Sequence, residues 1–170
     1  HDLLTYVVIF FVLVMVIKIY RESETFQLKC ILSNVDGKSY CVRERNKLQL
    51  VADLLAQITQ NMKKLVKYLG EKYPERENVK RLVKNFNPRK ISETLPTSKY
   101  TAYSENKGEK LAFCTTTTKK GNRLIDKNTL MFVALHELAH IATKSVGHTT
   151  EFWQNFKFLI ENAKNINIYN

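Results

Sequence analysis

Three of the four histidines in the chain fall within one short window, residues 135–153, which reads "LHELAHIATKSVGHTTEFW". His136 and His140 are four residues apart, so on a helix both imidazoles project from one face and can bind the same ion. Glu137 follows His136, at a position from which a carboxylate can reach a metal-bound water without itself being a ligand. This His-Glu-x-x-His arrangement predicts a zinc site with Glu137 as its catalytic base.

The chemistry of such a site is peptide-bond hydrolysis. Zinc lowers the pKa of a bound water to about 7, and Glu137 would take up the proton as that water attacks a peptide carbonyl. The same carboxylate could then give the proton to the leaving amine. The alternative is a helix whose histidines lie in the core or on the surface without a metal. The apolar surroundings, "LMFVALHELAHIA", favour the zinc site, because unpaired polar groups are costly to bury.

The third metal ligand has two candidates, His148 and Glu151. Zinc peptidases use either three histidines or two histidines and a glutamate. Gly147 is expected to end the histidine helix, so that His148 turns back toward the metal. Glu151 lies about one turn into the next helix, where a carboxylate also stabilises the positive helix end. We therefore predict that the ligands are His136, His140 and His148.

The elements that must position these residues are mainly helices. Over residues 46–69 apolar residues recur in steps of three and four, which predicts a long amphipathic helix packed along one stripe. A shorter helix is predicted over residues 74–87, where an Asn-Pro pair ends it. Two helices close the chain. One begins near Asn128 and carries the histidines, and the other begins at Thr149 or Thr150.

Two pairs of strands are also predicted. Residues 26–44 contain two β-leaning runs around a turn at residues 34–37. A four-residue turn would place Cys30 opposite Cys41, whereas a two-residue turn would misalign them. Opposed cysteines could form a disulfide, but a cytoplasmic location argues against oxidation, so both redox states stay open. Residues 99–118 contain the second pair of runs, around an Asn-Lys-Gly turn.

The N-terminal segment is apolar on all sides. Residues 3–20 carry a single charge, Lys18, and as a helix would be roughly 27 Å long, close to the hydrocarbon thickness of a bilayer. A core helix would have a polar face, and a signal peptide would be followed by a small-residue cleavage pattern, so we predict a single membrane span. Lys18, Arg21 and Lys29 place the rest of the chain on the cytoplasmic side.

The net charge of the chain is +11 at pH 7, which points to an acidic partner. Basic residues concentrate between positions 62 and 90, where a solvated helix face is the simplest interpretation. The candidate contacts with lipid or nucleic acid are Lys63, Lys64, Lys67, Lys80, Arg81 and Lys84. Because a hydrophobic segment lies upstream, we favour anionic lipid or an acidic protein over nucleic acid.

"HELAH" followed by "GHTTEFW" resembles the WLM and SprT-like zinc metallopeptidases. In those families a third histidine precedes an aromatic pair at the start of the next helix, and His148 followed by Phe152 and Trp153 fits that pattern. The pair is expected to fix this helix against the core. The stretch over residues 100–161 also resembles WLM-like proteins of large double-stranded DNA viruses, several of which carry an N-terminal hydrophobic anchor.

The resemblance implies an α+β fold: an N-terminal transmembrane helix (1–20) and a small zincin-like domain (21–170). Within that domain we expect the hairpin at 21–44, a basic helical region at 45–90 and the catalytic core at 99–170. The family fold places a sheet edge beside the active-site helix, where a substrate peptide would add as a strand. Residues 109–116 are the candidate edge, with an interior strand as the alternative. Tyr100 and Tyr103 are possible oxyanion stabilisers or packing residues.

The function predicted from sequence is that of a membrane-anchored zinc metalloendopeptidase. Its cofactor is zinc, and its substrate is a protein or peptide. The competing hypothesis is a catalytically silent virion protein that keeps the peptidase fold and tethers a membrane to a capsid shell. Viral capsid proteins would then be partners, and the virion inner membrane a possible location. An intact Glu137 favours the enzyme, because a tether has no use for a catalytic base.

Overall fold

The computed structural model describes residues 2–22, 28–43, 47–94, 102–116 and 123–170. Tyr100, Asn46 and the outer ends of the predicted strand runs lie outside the described residues. Helices and a small sheet are mixed along the chain, as the α+β prediction requires. The helices are α1 (Asp2–Glu22), α2 (Leu48–Lys72), α3 (Glu77–Asn85), α4 (Lys127–Ala142) and α5 (Thr150–Asn165). The strands are β1 (Leu28–Leu32), β2 (Ser39–Arg43), β3 (Ile91–Glu93), β4 (Ala102–Glu105) and β5 (Lys110–Phe113).

The five-stranded sheet has the order β1-β2-β3-β5-β4. The β1–β2 and β4–β5 pairs are antiparallel hairpins, and β3 joins them by pairing in parallel with β2 on one side and β5 on the other. The outer strand on the side of the histidine helix is therefore β4. The prediction that residues 109–116 form the edge is wrong, because β5 has a neighbour on both sides. Its apolar core residues Leu111, Ala112 and Phe113 are completely buried, as suits an interior strand.

The joining strand β3 was not predicted from the sequence. It is three residues long, and two of them, Ser92 and Glu93, are polar, so no alternating pattern marks it. All three side chains are nonetheless buried. The Glu93 carboxylate accepts hydrogen bonds from the Arg43 backbone N–H (2.8 Å) and the Thr115 hydroxyl (2.6 Å). These bonds satisfy a buried charge that the sequence alone would have assigned to the surface.

Helix α2 supplies the centre of the core, as its periodicity predicts. Its buried stripe recurs in the predicted steps of three and four and is completely shielded from solvent: Val51, Leu55, Ile58, Met62, Leu65 and Leu69. The stripe packs against the β1–β2–β3 side of the sheet and against α4. Helix α4 in turn packs against β4, β5, α3 and α5. The histidine helix is thus held between the sheet and three other helices, α2, α3 and α5.

The β1–β2 hairpin has the register that a four-residue turn predicts. Ser33 donates its backbone N–H to the Lys38 carbonyl at 2.9 Å. Counting outward from this pair, Cys30 lies opposite Cys41, and a disulfide joins the two. The turn is tied to the domain by Asp36, whose carboxylate accepts hydrogen bonds from the Tyr40 hydroxyl and from the Gln60 side chain on α2.

Helix α1 differs from the other helices because none of its apolar side chains is buried. Every residue from Asp2 to Arg21 is exposed, and the mean hydropathy of this segment is 2.6. By length and composition α1 is long and apolar enough to cross a membrane. It is therefore a candidate anchor and not a core helix.

Candidate metal centre

Helix α4 presents both motif histidines on the one side that the core does not cover. Asp126 caps its start, where the carboxylate accepts the Thr129 backbone N–H at 2.9 Å. The apolar residues of the helix face the sheet, α3 and α5, and eight of them are buried: Leu130, Met131, Ala134, Leu135, Leu138, Ala139, Ile141 and Ala142. His136 and His140 are half-buried one turn apart, with their ring centroids 4.8 Å from one another.

His148 joins these two rings from the loop between α4 and α5. Its Nε2 atom lies 3.0 Å from His136 Nε2, and its ring centroid lies 5.0 Å from that of His140. The candidate ligand nitrogens of the three residues all lie within 4.8 Å of one another. Phe152, which is completely buried, packs against all three rings at centroid distances of 5.1, 4.3 and 4.8 Å. The structure therefore brings together the three residues that the sequence analysis selected.

The donor set fits a zinc ion. Burial is the main cause that lowers the pKa of His140 below its ordinary value; the Glu137 carboxylate opposes this shift, and the imidazoles of His136 and His148 add to it. A lowered pKa keeps the ring neutral, which is the form that binds a metal. Three imidazoles are one of the protein ligand sets used by zinc sites that carry out catalysis, so these residues would suit such an ion.

Glu137 borders the same space as the three imidazoles. The residue is 6% exposed, and its Oε1 atom lies 3.2 Å from His136 Nδ1. Burial beside the cluster suits a base that must act where little bulk water competes for its proton.

Glu151, the other candidate ligand, lies elsewhere. Its carboxylate accepts the Lys144 backbone N–H at 2.8 Å and the Ser145 hydroxyl at 3.1 Å. These bonds to the loop are the leading cause of a lowered Glu151 pKa, with the Lys144 N–H first among them. The Thr149 hydroxyl caps the same helix end by accepting the Phe152 N–H at 3.3 Å. The carboxylate of Glu151 thus holds the loop that carries His148 and does not point into the imidazole cluster.

The end of α4 corrects a second expectation. The helix ends at Ala142, five residues before Gly147, so Gly147 is not its stop signal. The terminal carbonyl of Ala142 accepts a hydrogen bond from the Arg81 guanidinium at 2.6 Å. A helix end that obtains such tertiary partners needs no glycine cap. Gly147 lies instead inside the loop, next to His148.

A cavity of about 820 Å³ opens in front of the cluster. One wall is the outer strand β4, and the opposite walls are the motif residues and the loop from Ser145 to His148. Tyr103 lies on the β4 wall, whereas Tyr100 is outside the described residues. The sheet edge beside the histidine helix is therefore present, although strand β4 and not β5 forms it.

The aromatic pair after His148 is divided between two environments. Phe152 is in the core, but Trp153 is 53% exposed, with its ring 5.8 Å from that of His148. The Trp153 ring nevertheless contacts the rings of Phe152 at 5.1 Å and Phe156 at 6.0 Å. Both members of the pair therefore pack at the start of α5, Phe152 inside the core and Trp153 at its surface.

The six basic candidates lie on α2 and α3, and Arg81 differs from the rest. Its guanidinium bonds to Ala142 and lies 3.9 Å from a Glu151 oxygen, so it is part of the support of the metal cluster. Lys80 lies within ion-pair distance of Glu75 and Glu77. Lys64, Lys67 and Lys84 are exposed, and Lys63 is half-buried. A surface role for these lysines stays a prediction.

Comparison with known proteins places the chain among viral relatives. No family model matches the sequence. An uncharacterized protein of Acanthamoeba polyphaga mimivirus is 34% identical over 152 residues, which cover 87% of this chain and 75% of that protein. The chain belongs to the family of that mimivirus protein. An uncharacterized protein of invertebrate iridescent virus 3 is 47% identical over 51 residues, which cover 30% of this chain and 31% of that protein.

Solved structures show which fold the chain resembles. Wss1 from Saccharomyces cerevisiae aligns with a TM-score of 0.55 and 16% identity, over 74% of this chain and 87% of the Wss1 chain. A Wss1 mutant from the same yeast aligns with a TM-score of 0.53 over 74% and 88%. At this identity the likeness establishes the fold. The chain therefore has a Wss1-like fold, in agreement with the α+β fold that the resemblance implied.

Proposed function

We propose that this protein is a zinc-dependent metalloendopeptidase of the WLM type. The observation that carries the proposal is the convergence of His136, His140 and His148 with the buried Glu137 at one cavity. The Wss1-like fold supports it independently, because it relates the chain to a metalloprotease by architecture as well as by motif.

The three imidazoles would bind the metal, and Glu137 would accept and then donate the proton that is transferred during hydrolysis. When bound, zinc supplies a Lewis acid that polarises a peptide carbonyl and makes a water acidic at neutral pH. The Glu137 carboxylate accepts the proton released during the attack on the carbonyl and delivers it to the departing amine. Phe152, in contact with all three rings, keeps them in place and keeps water out from behind them.

Strand β4 would bind the substrate. An extended peptide can add to an outer strand through main-chain hydrogen bonds, which give affinity without strong sequence preference. The β4 wall and the metal cluster face the same cavity, so a peptide on β4 would lie with its backbone beside Glu137. The substrate class that fits is therefore an unfolded or extended protein segment.

Helix α1 would anchor the enzyme to a membrane, with the domain on the cytoplasmic side. Only five residues separate α1 from β1, so the domain would lie within about 20 Å of the membrane end of α1. Exposed lysines such as Lys64, Lys67 and Lys84 would add contacts with anionic lipid, at about 1 kcal/mol each near the surface. In a virus particle the corresponding location would be the inner membrane.

The test compares the wild-type protein with Glu137→Gln. Zinc content is measured on both purified proteins, and proteolysis is measured with an unstructured, casein-like substrate. We expect both proteins to bind zinc and the variant to lose at least ~100-fold in turnover, the lower end of general-base contributions. Equal turnover in the two proteins would contradict the role of Glu137, and no turnover in either would favour the catalytically silent membrane–capsid tether.

A further inference from the structure

Of the three candidate metal ligands, His148 is the one whose position is least firmly fixed. His136 and His140 are fixed by a buried helix, whereas His148 is exposed and lies in the irregular segment 143–149. A ligand on a loop is held only as precisely as the backbone of that loop. The contacts that fix segment 143–149 therefore decide whether the candidate ligand nitrogens of His136, His140 and His148 stay close together.

Lys107 makes the most extensive of these contacts. It lies in the turn between β4 and β5, and its ammonium donates to three successive carbonyls of the segment: Thr143 at 2.5 Å, Lys144 at 3.1 Å and Ser145 at 2.9 Å. An ammonium has three donors, so this set uses all of them. The carbonyls lie just beyond the C-terminal end of α4, where backbone acceptors lack partners and a positive charge is stabilised.

The backbone conformation of the β4–β5 turn directs the Lys107 side chain toward segment 143–149. Asn106, Lys107 and Gly108 all have positive φ angles, at 47°, 49° and 112°. Such angles are uncommon for residues other than glycine, so at Asn106 and Lys107 they persist only where the surroundings enforce them. The Asn106 side chain bonds to Glu109 at 2.7 Å, and the Gly108 N–H bonds to the Glu105 carbonyl at 3.2 Å.

Two residues of α5 hold the same segment: Glu151 accepts the Lys144 N–H and the Ser145 hydroxyl, and Asn155 donates to the Thr143 hydroxyl. Arg81 on α3 binds the carbonyl of Ala142, the residue just before the segment. Lys107 is distinct because it comes from the hairpin that contains β4. It also lines the cavity. A single side chain thus connects the outer strand to the loop that carries His148.

We propose that Lys107 is a positioning residue of the metal centre: it fixes segment 143–149 and thereby places His148 beside His136 and His140. This inference rests on the proposed zinc site. It gives the outer hairpin a second role besides binding substrate, because a displacement of the β4–β5 turn would move the third ligand. The three hydrogen bonds of the Lys107 ammonium described here all go to backbone carbonyls, so its role is to hold the loop.

The test measures zinc affinity by competition with a chelator for the wild type, Lys107→Met and Lys107→Arg. Lys127→Met is the matched control, since it removes the same charge from an exposed position at the start of α4. We expect Lys107→Met to weaken zinc binding about 10–100-fold, the usual effect of losing an outer support of a metal ligand. Lys107→Arg should recover part of the loss because it keeps a charged donor, and the control should bind as the wild type does.

Amide hydrogen exchange of the metal-free proteins is the second readout. The Lys144 N–H and its neighbours should exchange faster in Lys107→Met than in the wild type and the control. Should Lys107→Met not fold, Lys107→Gln takes its place, with the same readouts. Wild-type zinc affinity together with unchanged exchange in the folded variant would overturn the inference and leave the proposed function intact. Failure of the wild type to bind zinc would overturn the proposed function, and the exchange rates would then decide the positioning role by themselves.

Discussion

At the scale of single residues, His148 and Glu151 provide the sharpest test of the metal ligands. His148 Nε2 lies 3.0 Å from His136 Nε2, while the Glu151 carboxylate is engaged with the backbone of the loop. We expect His148→Ala to abolish tight zinc binding, because only two protein ligands remain. Glu151→Ala should weaken binding by about 10-fold, since it loosens the loop but removes no ligand.

Equilibrium dialysis against zinc, followed by metal analysis, measures both variants, with His1→Ala as a control that changes a histidine outside the motif window. The assignment would be wrong if Glu151→Ala lost zinc completely while His148→Ala kept it.

At the scale of elements, the β4–β5 turn depends on Gly108. A Cβ atom at this position would lie 2.4 Å from the Asn85 carbonyl oxygen and 3.1 Å from Ile141 Cδ1. Gly37 in the β1–β2 turn is a matched control, because its φ of +69° is also positive but nothing lies within 4 Å of its added Cβ. We expect Gly37→Ala to cost about 1 kcal/mol for the left-handed backbone, and Gly108→Ala to cost about 2–4 kcal/mol because a steric clash is added.

The two glycine variants can be compared by denaturant unfolding of the full chain in mild detergent. Gly108→Ala should also reduce zinc affinity, because the turn carries Lys107, whereas Gly37→Ala should not. Equal destabilisation by the two substitutions would show that the close approach to Asn85 does not matter.

At the scale of the whole molecule, the orientation of the domain relative to the membrane can be tested directly. Lys18, Arg21 and Lys29 predict that the domain faces the cytoplasm, so protease added to sealed vesicles with that face outward should digest it. Vesicles of the opposite orientation are the control and should protect it.

The disulfide bears on the same question. Disulfides persist in oxidising compartments, whereas Cys30 and Cys41 would be kept reduced on a cytoplasmic face. Protection from protease in the first vesicles, together with a single free thiol from Cys114 in the denatured protein, would reverse the predicted orientation.

The sequence by itself determined the features that local patterns encode. Steps of three and four place the buried stripe of α2, and the four-residue turn sets the Cys30–Cys41 register. The spacing of His136 and His140 puts two imidazoles on one face of a helix, and an apolar run without a polar face produces α1. Each of these follows from the periodicity of a helix or a strand over a few neighbouring residues.

Only the tertiary structure decided the strand order, the outer strand of the sheet and the support of the third imidazole. The edge is β4 because the short strand β3, which has no detectable pattern, pairs with β5. Helix α4 ends at Ala142, where a guanidinium from α3 binds the last carbonyl and no glycine is needed. Lys107 reaches carbonyls 36 to 38 residues further along the chain. Contacts across such separations leave no periodic trace in the sequence, because they depend on how complete elements pack and not on the spacing of residues within them.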